Sequence, residues 1–282
     1  MAADLALPKE ATAVLEWWFP RIRQILGPRL HSVMLYGSVC LDGFEPGWSD
    51  VDMCTVVEEP VSKEEALALD RVHEEMDKRF IEEGQGGWRN TQILEGEIIP
   101  VDLAEDGDAT GVCYATMAGH RERKVCNPLS AFYRYLLAYH GVCYAGKHVR
   151  FAPPSREALT AETRELMLTG QGALLRPERA GASGIMMAGI IQDTARTIVF
   201  WRDGALLSKT AALEHEIAGG SPFVAAYRLA LHLRKIGSAK CEAHRDELRA
   251  RLLEIVVPAA DLLRHLLAAE EGTQKRKGAT CL

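Results

Sequence analysis

The chain has 282 residues, 48% hydrophobic and 26% charged, with a net charge of −6 and a pI near 5.9. That length suits one large or two medium domains with a sizeable core. The acidic balance offers no Lys/Arg stripe beyond the short cluster His120-Arg121-Glu122-Arg123-Lys124, which argues against a nucleic-acid binder or polymerase.

In chain order, apolar residues at Val14, Leu15, Trp18, Ile22, Ile25 and Leu26 predict a helix over Ala11–Leu26, with Pro20 inside it as a kink. Ser32–Tyr36 reads as a strand, broken by Gly37-Ser38. Cys40–Trp48 carries the loop signals Asp42-Gly43 and Pro46-Gly47. Val51–Val57 is the next strand, ended by Pro60. Ser62 then opens a helix running to about Glu82, with Glu65 at capping-box spacing. After a turn at Gly84–Gly87, Arg89–Leu94 and Glu97–Leu103 read as two strands joined by Glu95-Gly96. This pattern predicts an α/β domain with a small mixed sheet.

Leu129–His140 is a further predicted helix. Ala152-Pro153-Pro154 marks a domain boundary, and only helical patterns follow: Ser155–Leu175, Ser183–Arg202, Ser208–Ile217, Ser221–Lys235 and Cys241–Ala269. The second half is therefore expected to be an all-α helical bundle, with a frayed polar tail over Glu270–Leu282.

The seven cysteines include no CxxC pair, so reduced thiols in a reducing compartment are expected. His140, Cys143 and His148 lack a fourth ligand at metal-binding spacing and read as ordinary core and loop residues. No apolar run reaches the roughly eighteen residues of a membrane span, and Met1–Glu10 has no secretory pattern. A cytoplasmic protein is the expectation.

The chemistry concentrates in Leu35-Tyr36-Gly37-Ser38 and Trp48-Ser49-Asp50-Val51-Asp52-Met53. In a strand Asp50 and Asp52 share one face. Two like charges in an apolar strand repel and lose hydration, a cost relieved by a shared cation such as Mg²⁺. Gly37 allows a phosphate to approach the backbone, and Ser38 adds a hydroxyl. Such parts suit phosphoryl or nucleotidyl transfer. A third acid would complete the site: Asp102, in the apolar run Ile98–Ala104, is the leading candidate, with Glu97 and Glu105 as rivals nearer the strand ends.

This combination resembles the nucleotidyltransferase fold, and most closely the aminoglycoside nucleotidyltransferases of the streptomycin/spectinomycin adenylyltransferase type. Tyr139–Gly146 looks like that family's interdomain segment. Arg196, Gly204 and Lys209 match its spacing of an Arg, a Gly and a Lys. The resemblance implies a nucleotidyltransferase catalytic domain over 1–150 and a helical bundle over 151–282. It implies AMP transfer from Mg-ATP to a hydroxyl of an aminoglycoside-like, cationic antibiotic. Asp50, Asp52 and Asp102 would hold Mg²⁺, with Asp102 alternatively deprotonating the acceptor. Gly37, Ser38, Arg196 and Lys209 would contact the nucleotide phosphates, the last two from the second domain. The partners implied are ATP and a small-molecule acceptor, with no nucleic acid or membrane, in a monomer or homodimer.

The chain departs from the family at its drug-binding region. Pro177–Met187 offers Glu178 but no Trp and no Asp pair. Glu214, Glu216 and Asp193 are the remaining candidate acidic contacts. A lincosamide, another metabolite or a protein side chain is the alternative acceptor, and a nucleotide-binding module without turnover is the alternative outside catalysis.

Overall fold

The computed structural model describes residues 6–87, 93–117, 120–127, 129–169 and 183–279. The chain forms two compact units, Met1–Pro154 and Ser155–Leu282.

The first unit is built on a six-stranded sheet of order β5-β4-β3-β2-β1-β6. Its strands are β1 (Leu30–Tyr36), β2 (Val51–Val57), β3 (Leu94–Pro100), β4 (Gly111–Met117), β5 (His120–Cys126) and β6 (Val142–Gly146). All neighbours are antiparallel except β2 and β3, which run parallel. A parallel pair needs a crossover, and helix α2 (Lys63–Asp77) lies within it. Its N-terminus is fixed by the expected capping box: Ser62 Oγ accepts from the Glu65 N–H at 3.1 Å, and Glu65 accepts from the Ser62 N–H at 2.8 Å.

Side chains alternate along a strand, so the sheet has two distinct faces. Val33, Leu35, Val51, Met53, Leu94, Ile98 and Tyr114 form one, packed with Val14, Leu15, Trp18 and Ile22 of helix α1 (Lys9–Leu26) and Leu69 and Met76 of α2. The opposite face carries Tyr36, Asp52, Cys54, Glu95 and Glu97. Helix α4 (Ala131–His140), capped by Ser130, sets Tyr133 against Tyr36 there, with ring centroids 5.6 Å apart.

Three sequence expectations change. Glu95-Gly96 does not join two strands; both residues lie inside β3, and 88–92 fall outside the described residues. The glycine serves strand contact, since a Cβ on Gly96 would meet the Met53 carbonyl oxygen at 1.6 Å. Secondly, the strand expected to reach Leu103 ends at Pro100, and Val101–Glu105 is a short helix, α3. Thirdly, β4, β5 and β6 were not anticipated. The His120–Lys124 cluster belongs to β5, an edge strand whose charges discourage pairing with another chain.

The second unit contains α5 (Arg156–Arg164), α6 (Gly184–Asp203), α7 (Lys209–Ala218), α8 (Val224–Ile236) and α9 (Arg245–Ala279). Serines cap α5, α6 and α7 through Ser155, Ser183 and Ser208, and Gly204 closes α6 with φ +72°. Helix α9 runs through the tail expected to fray, because Glu270–Lys277 contains no Pro and many helix formers. Among the described residues no helix is long and apolar enough to cross a membrane.

Candidate active site

The first unit gathers three carboxylates at one end of the parallel strand pair. Asp52 is the second residue of β2, Glu95 the second of β3, and the two are in register. Asp50 precedes β2 by one residue. One carboxylate oxygen from each of Asp50, Asp52 and Glu95 lies within 4.8 Å of the others, and all three residues are half-buried.

Local structure explains how Asp50 and Asp52 are delivered. The loop before β2 folds into a turn in which the Trp48 and Ser49 N–H groups both donate to the Glu45 carbonyl at 2.9 Å. Ser49 Oγ accepts from the Glu45 N–H at 3.0 Å. After β1 the chain enters a single turn at Gly37–Val39, and Ser38 Oγ donates to the Asp50 carbonyl at 3.4 Å. Gly37 has φ +66°, and a Cβ there would meet Asp52 Oδ2 at 1.9 Å. The side chain that demands glycine is therefore the Asp52 carboxylate.

Around the trio the surface is aromatic and acidic. Burial first, then Glu97 and Asp52, pushes the Tyr36 hydroxyl well above its usual pKa. Burial, then Asp52, Glu97, Glu95 and Asp50, does the same for Tyr133. Glu97 sits two residues beyond Glu95 on the same face, 2% exposed, and its Oε2 has no hydrogen-bond partner among the described residues. Burial raises its pKa to about 8, with Lys124 opposing and Glu95 adding to the shift. Glu97, expected nearer a strand end, is a core residue in mid-strand.

Asp102 is not brought to the trio. It lies in the first turn of α3, past the far end of β3, where its Oδ1 accepts from the Leu103 N–H at 3.0 Å. Because β3 runs parallel to β2, the strand's length separates Asp102 from Glu95 by roughly 20 Å at ~3.3 Å per residue. Glu105 ends α3 and is exposed. The third acid beside Asp50 and Asp52 is Glu95, which sequence reading passed over because Gly96 beside it looked like a turn. Its i, i+2 spacing to Glu97 in an apolar stretch was the available signal.

Three converging carboxylates suit a hard divalent ion, whose preferred ligands are oxygens. The donor set fits Mg²⁺ on that chemistry.

In the second unit, Arg196 (mid-α6) and Lys209 (first residue of α7) converge on one carboxylate. Asp193 accepts from Arg196 Nη2 at 3.0 Å and from Lys209 Nζ at 3.1 Å. Burial would raise the Asp193 pKa, but Lys209, Arg196 and Arg234 together hold it below the ordinary range. The other two candidate acidic contacts also pair internally, Glu216 with Arg202 at 2.7 Å and Glu214 with Lys235 at 3.3 Å. Glu178 lies outside the described residues.

No family model matches the chain, and no curated protein matches it. Among solved structures, it is similar to that of spectinomycin adenyltransferase AAD(9) from Enterococcus faecialis with ATP and spectinomycin. The match has a TM-score of 0.56 at 14% identity, covering 92% of this chain and 99% of that one. The chain thus has the fold of an aminoglycoside nucleotidyltransferase, an α/β unit with a mixed sheet followed by a helical one.

Proposed function

We propose that this chain is an Mg²⁺-dependent adenylyltransferase that moves AMP from ATP to a hydroxyl of a small, cationic, aminoglycoside-type acceptor. The observation that carries the reading is the Asp50–Asp52–Glu95 trio on a fold shared with an enzyme solved with ATP and spectinomycin. Asp50, Asp52 and Glu95 would hold the Mg²⁺, which when bound neutralises phosphate charge in the transition state. Ser38 and the backbone at Gly37 would contact the phosphates, and Arg196 and Lys209 are the phosphate-binding cations we assign to the helical unit. Glu95, the acid outside the Asp50/Asp52 pair, would alternatively take the proton of the acceptor hydroxyl as its oxygen bonds to the α-phosphorus and pyrophosphate leaves.

Incubation with Mg-ATP and a panel that includes spectinomycin, streptomycin and a lincosamide tests this. The expected result is pyrophosphate release with one aminocyclitol or aminoglycoside and a mass gain of one AMP on it. AMP found on a lincosamide or a protein side chain would move the acceptor class. ATP binding with no transfer to any panel member or protein would leave a binding module.

A further inference from the structure

We propose that Cys113 and Cys126 are a peroxide-sensitive dithiol, which closes to a disulfide between β4 and β5 and is reopened by reduced glutathione. The site needs neither metal nor nucleotide and is independent of the nucleotidyl-transfer reading.

Strand register brings the two thiols together. Cys113 stands opposite Lys124 in the antiparallel β4–β5 pair, and Gly111 opposite Cys126. Alternation therefore puts Cys113, Lys124 and Cys126 on one face of the sheet. The two Sγ atoms lie 3.3 Å apart, thiol to thiol. Their exposure is unequal: Cys113 is 0% exposed, whereas Cys126, the last residue of β5, is half-buried. A small oxidant thus meets Cys126 first, with Cys113 placed behind it to resolve the product. Lys124 acts on both sulfurs with its positive charge, and a nearby cation favours the thiolate that reacts. Burial, then the Cys126 thiol, pushes the Cys113 pKa up to about 12, with Lys124 opposing, so Cys113 keeps its proton until its partner is oxidised. Strand β5 is paired on one side only, which leaves its end free to move toward β4.

A hydroperoxide supplies the oxidising equivalents. The Cys126 sulfur takes one peroxide oxygen as the O–O bond breaks, and the displaced oxygen leaves with the Cys126 proton. The product is a sulfenic acid on Cys126. The Cys113 sulfur then attacks the sulfenic sulfur. The S–O bond breaks, the Cys113 proton goes to the departing hydroxide, and water leaves. Two thiols are oxidised to one disulfide, and one hydrogen peroxide is reduced to two waters.

The register also sets how firmly that bond holds. Diagonal partners stand farther apart than opposite ones, about 7–8 Å between Cα atoms, and a relaxed disulfide spans at most about 7 Å. Closure therefore draws the end of β5 inward, against the anchor beside it, where Asn127 Nδ2 donates to the Gly107 carbonyl at 2.9 Å. A strained disulfide is readily reduced, so the bond opens again when the oxidant is gone.

The test treats the native full chain with hydrogen peroxide, raised until methionine oxidation begins, followed by alkylation, tryptic digestion and mass spectrometry. Cleavage at Arg121, Arg123 and Lys124 separates the two cysteines, so the bond joins two peptides. The expected product is that joined peptide, two hydrogens lighter than the sum of its parts, and it should disappear on incubation with reduced glutathione. Cys113→Ser should stop at a sulfenic acid on Cys126, captured by dimedone. Cys126→Ser should leave Cys113 without dimedone. The absence of the joined peptide, a bond from Cys126 to another cysteine, or a bond that excess glutathione leaves intact overturns the inference. So does a missing adduct in Cys113→Ser or an adduct on Cys113 in Cys126→Ser. Should either variant not fold, a time course on wild type decides. Dimedone should label Cys126 before the joined peptide forms, and first labelling of Cys113 overturns the inference.

Discussion

Glu95 and Asp102 make opposite predictions as third acid, and single substitutions separate them. Glu95→Gln should lower Mg-dependent turnover by about two orders of magnitude or more, since a metal site supplies several kcal/mol of charge stabilisation. Asp102→Asn, at the far end of β3, should leave turnover within about twofold, well below the ~1.4 kcal/mol of a tenfold change. Steady-state kinetics under saturating Mg-ATP would read both. Gly37→Ala combines a left-handed φ of +66° with a Cβ 1.9 Å from Asp52 Oδ2. Activity should fall together with stability, because Asp52 must move to admit the methyl. The Asp50/Asp52 pair was legible because two same-face carboxylates beside an apolar run are costly without a purpose. Glu95 was not, because the glycine after it answers to the backbone of a neighbouring strand, which only the folded sheet supplies. Asp193 stood at i, i+3 from Arg196, a visible ion-pair spacing, yet nothing local showed that Lys209 would share it.

At the scale of elements, α2 was readable to its cap because capping-box chemistry is local. Ser62→Ala should cost about 1 kcal/mol in urea unfolding. The β2–β3 pairing was only half readable, and it rests on Gly96. Gly96→Ala would place a methyl 1.6 Å from the Met53 carbonyl oxygen. The register that sets Asp52 beside Glu95 should be lost, with a larger stability loss than for Ser62→Ala and with loss of turnover. Strands β4 and β5 escaped notice for a different reason. β5 is an edge whose charged residues mask the alternation of a half-buried strand. β4 is apolar throughout much of its length, a run that does not distinguish strand from buried helix.

For the whole molecule, pH should act through His73. It is buried on α2 beside Tyr114, ring centroids 6.2 Å apart, and neither ring nitrogen has a hydrogen-bond partner among the described residues. Burial, reinforced by Arg121, lowers its pKa to about 3. In the unfolded chain the ring takes its proton near ~6.5. Between these values the unfolded state binds the extra proton, so the contribution of His73 is full above about 6.5 and is lost as pH drops toward 3. His73→Leu should flatten that acid limb in denaturant titrations at several pH values. If the slope is unchanged, another group governs it.

The carboxylate trio also bears on the order of folding. Asp52 and Glu95 lie on the two parallel strands that the long crossover through α2 joins, and a pairing so distant along the chain closes late. Until it closes, no trio exists for a divalent ion to grip. Once it has closed, three like charges strain against one another, and an ion relieves them in the native state alone. An interaction absent from the folding transition state acts on the unfolding limb. In stopped-flow experiments Mg²⁺ should therefore lengthen the native half-life and leave the refolding rate as it was.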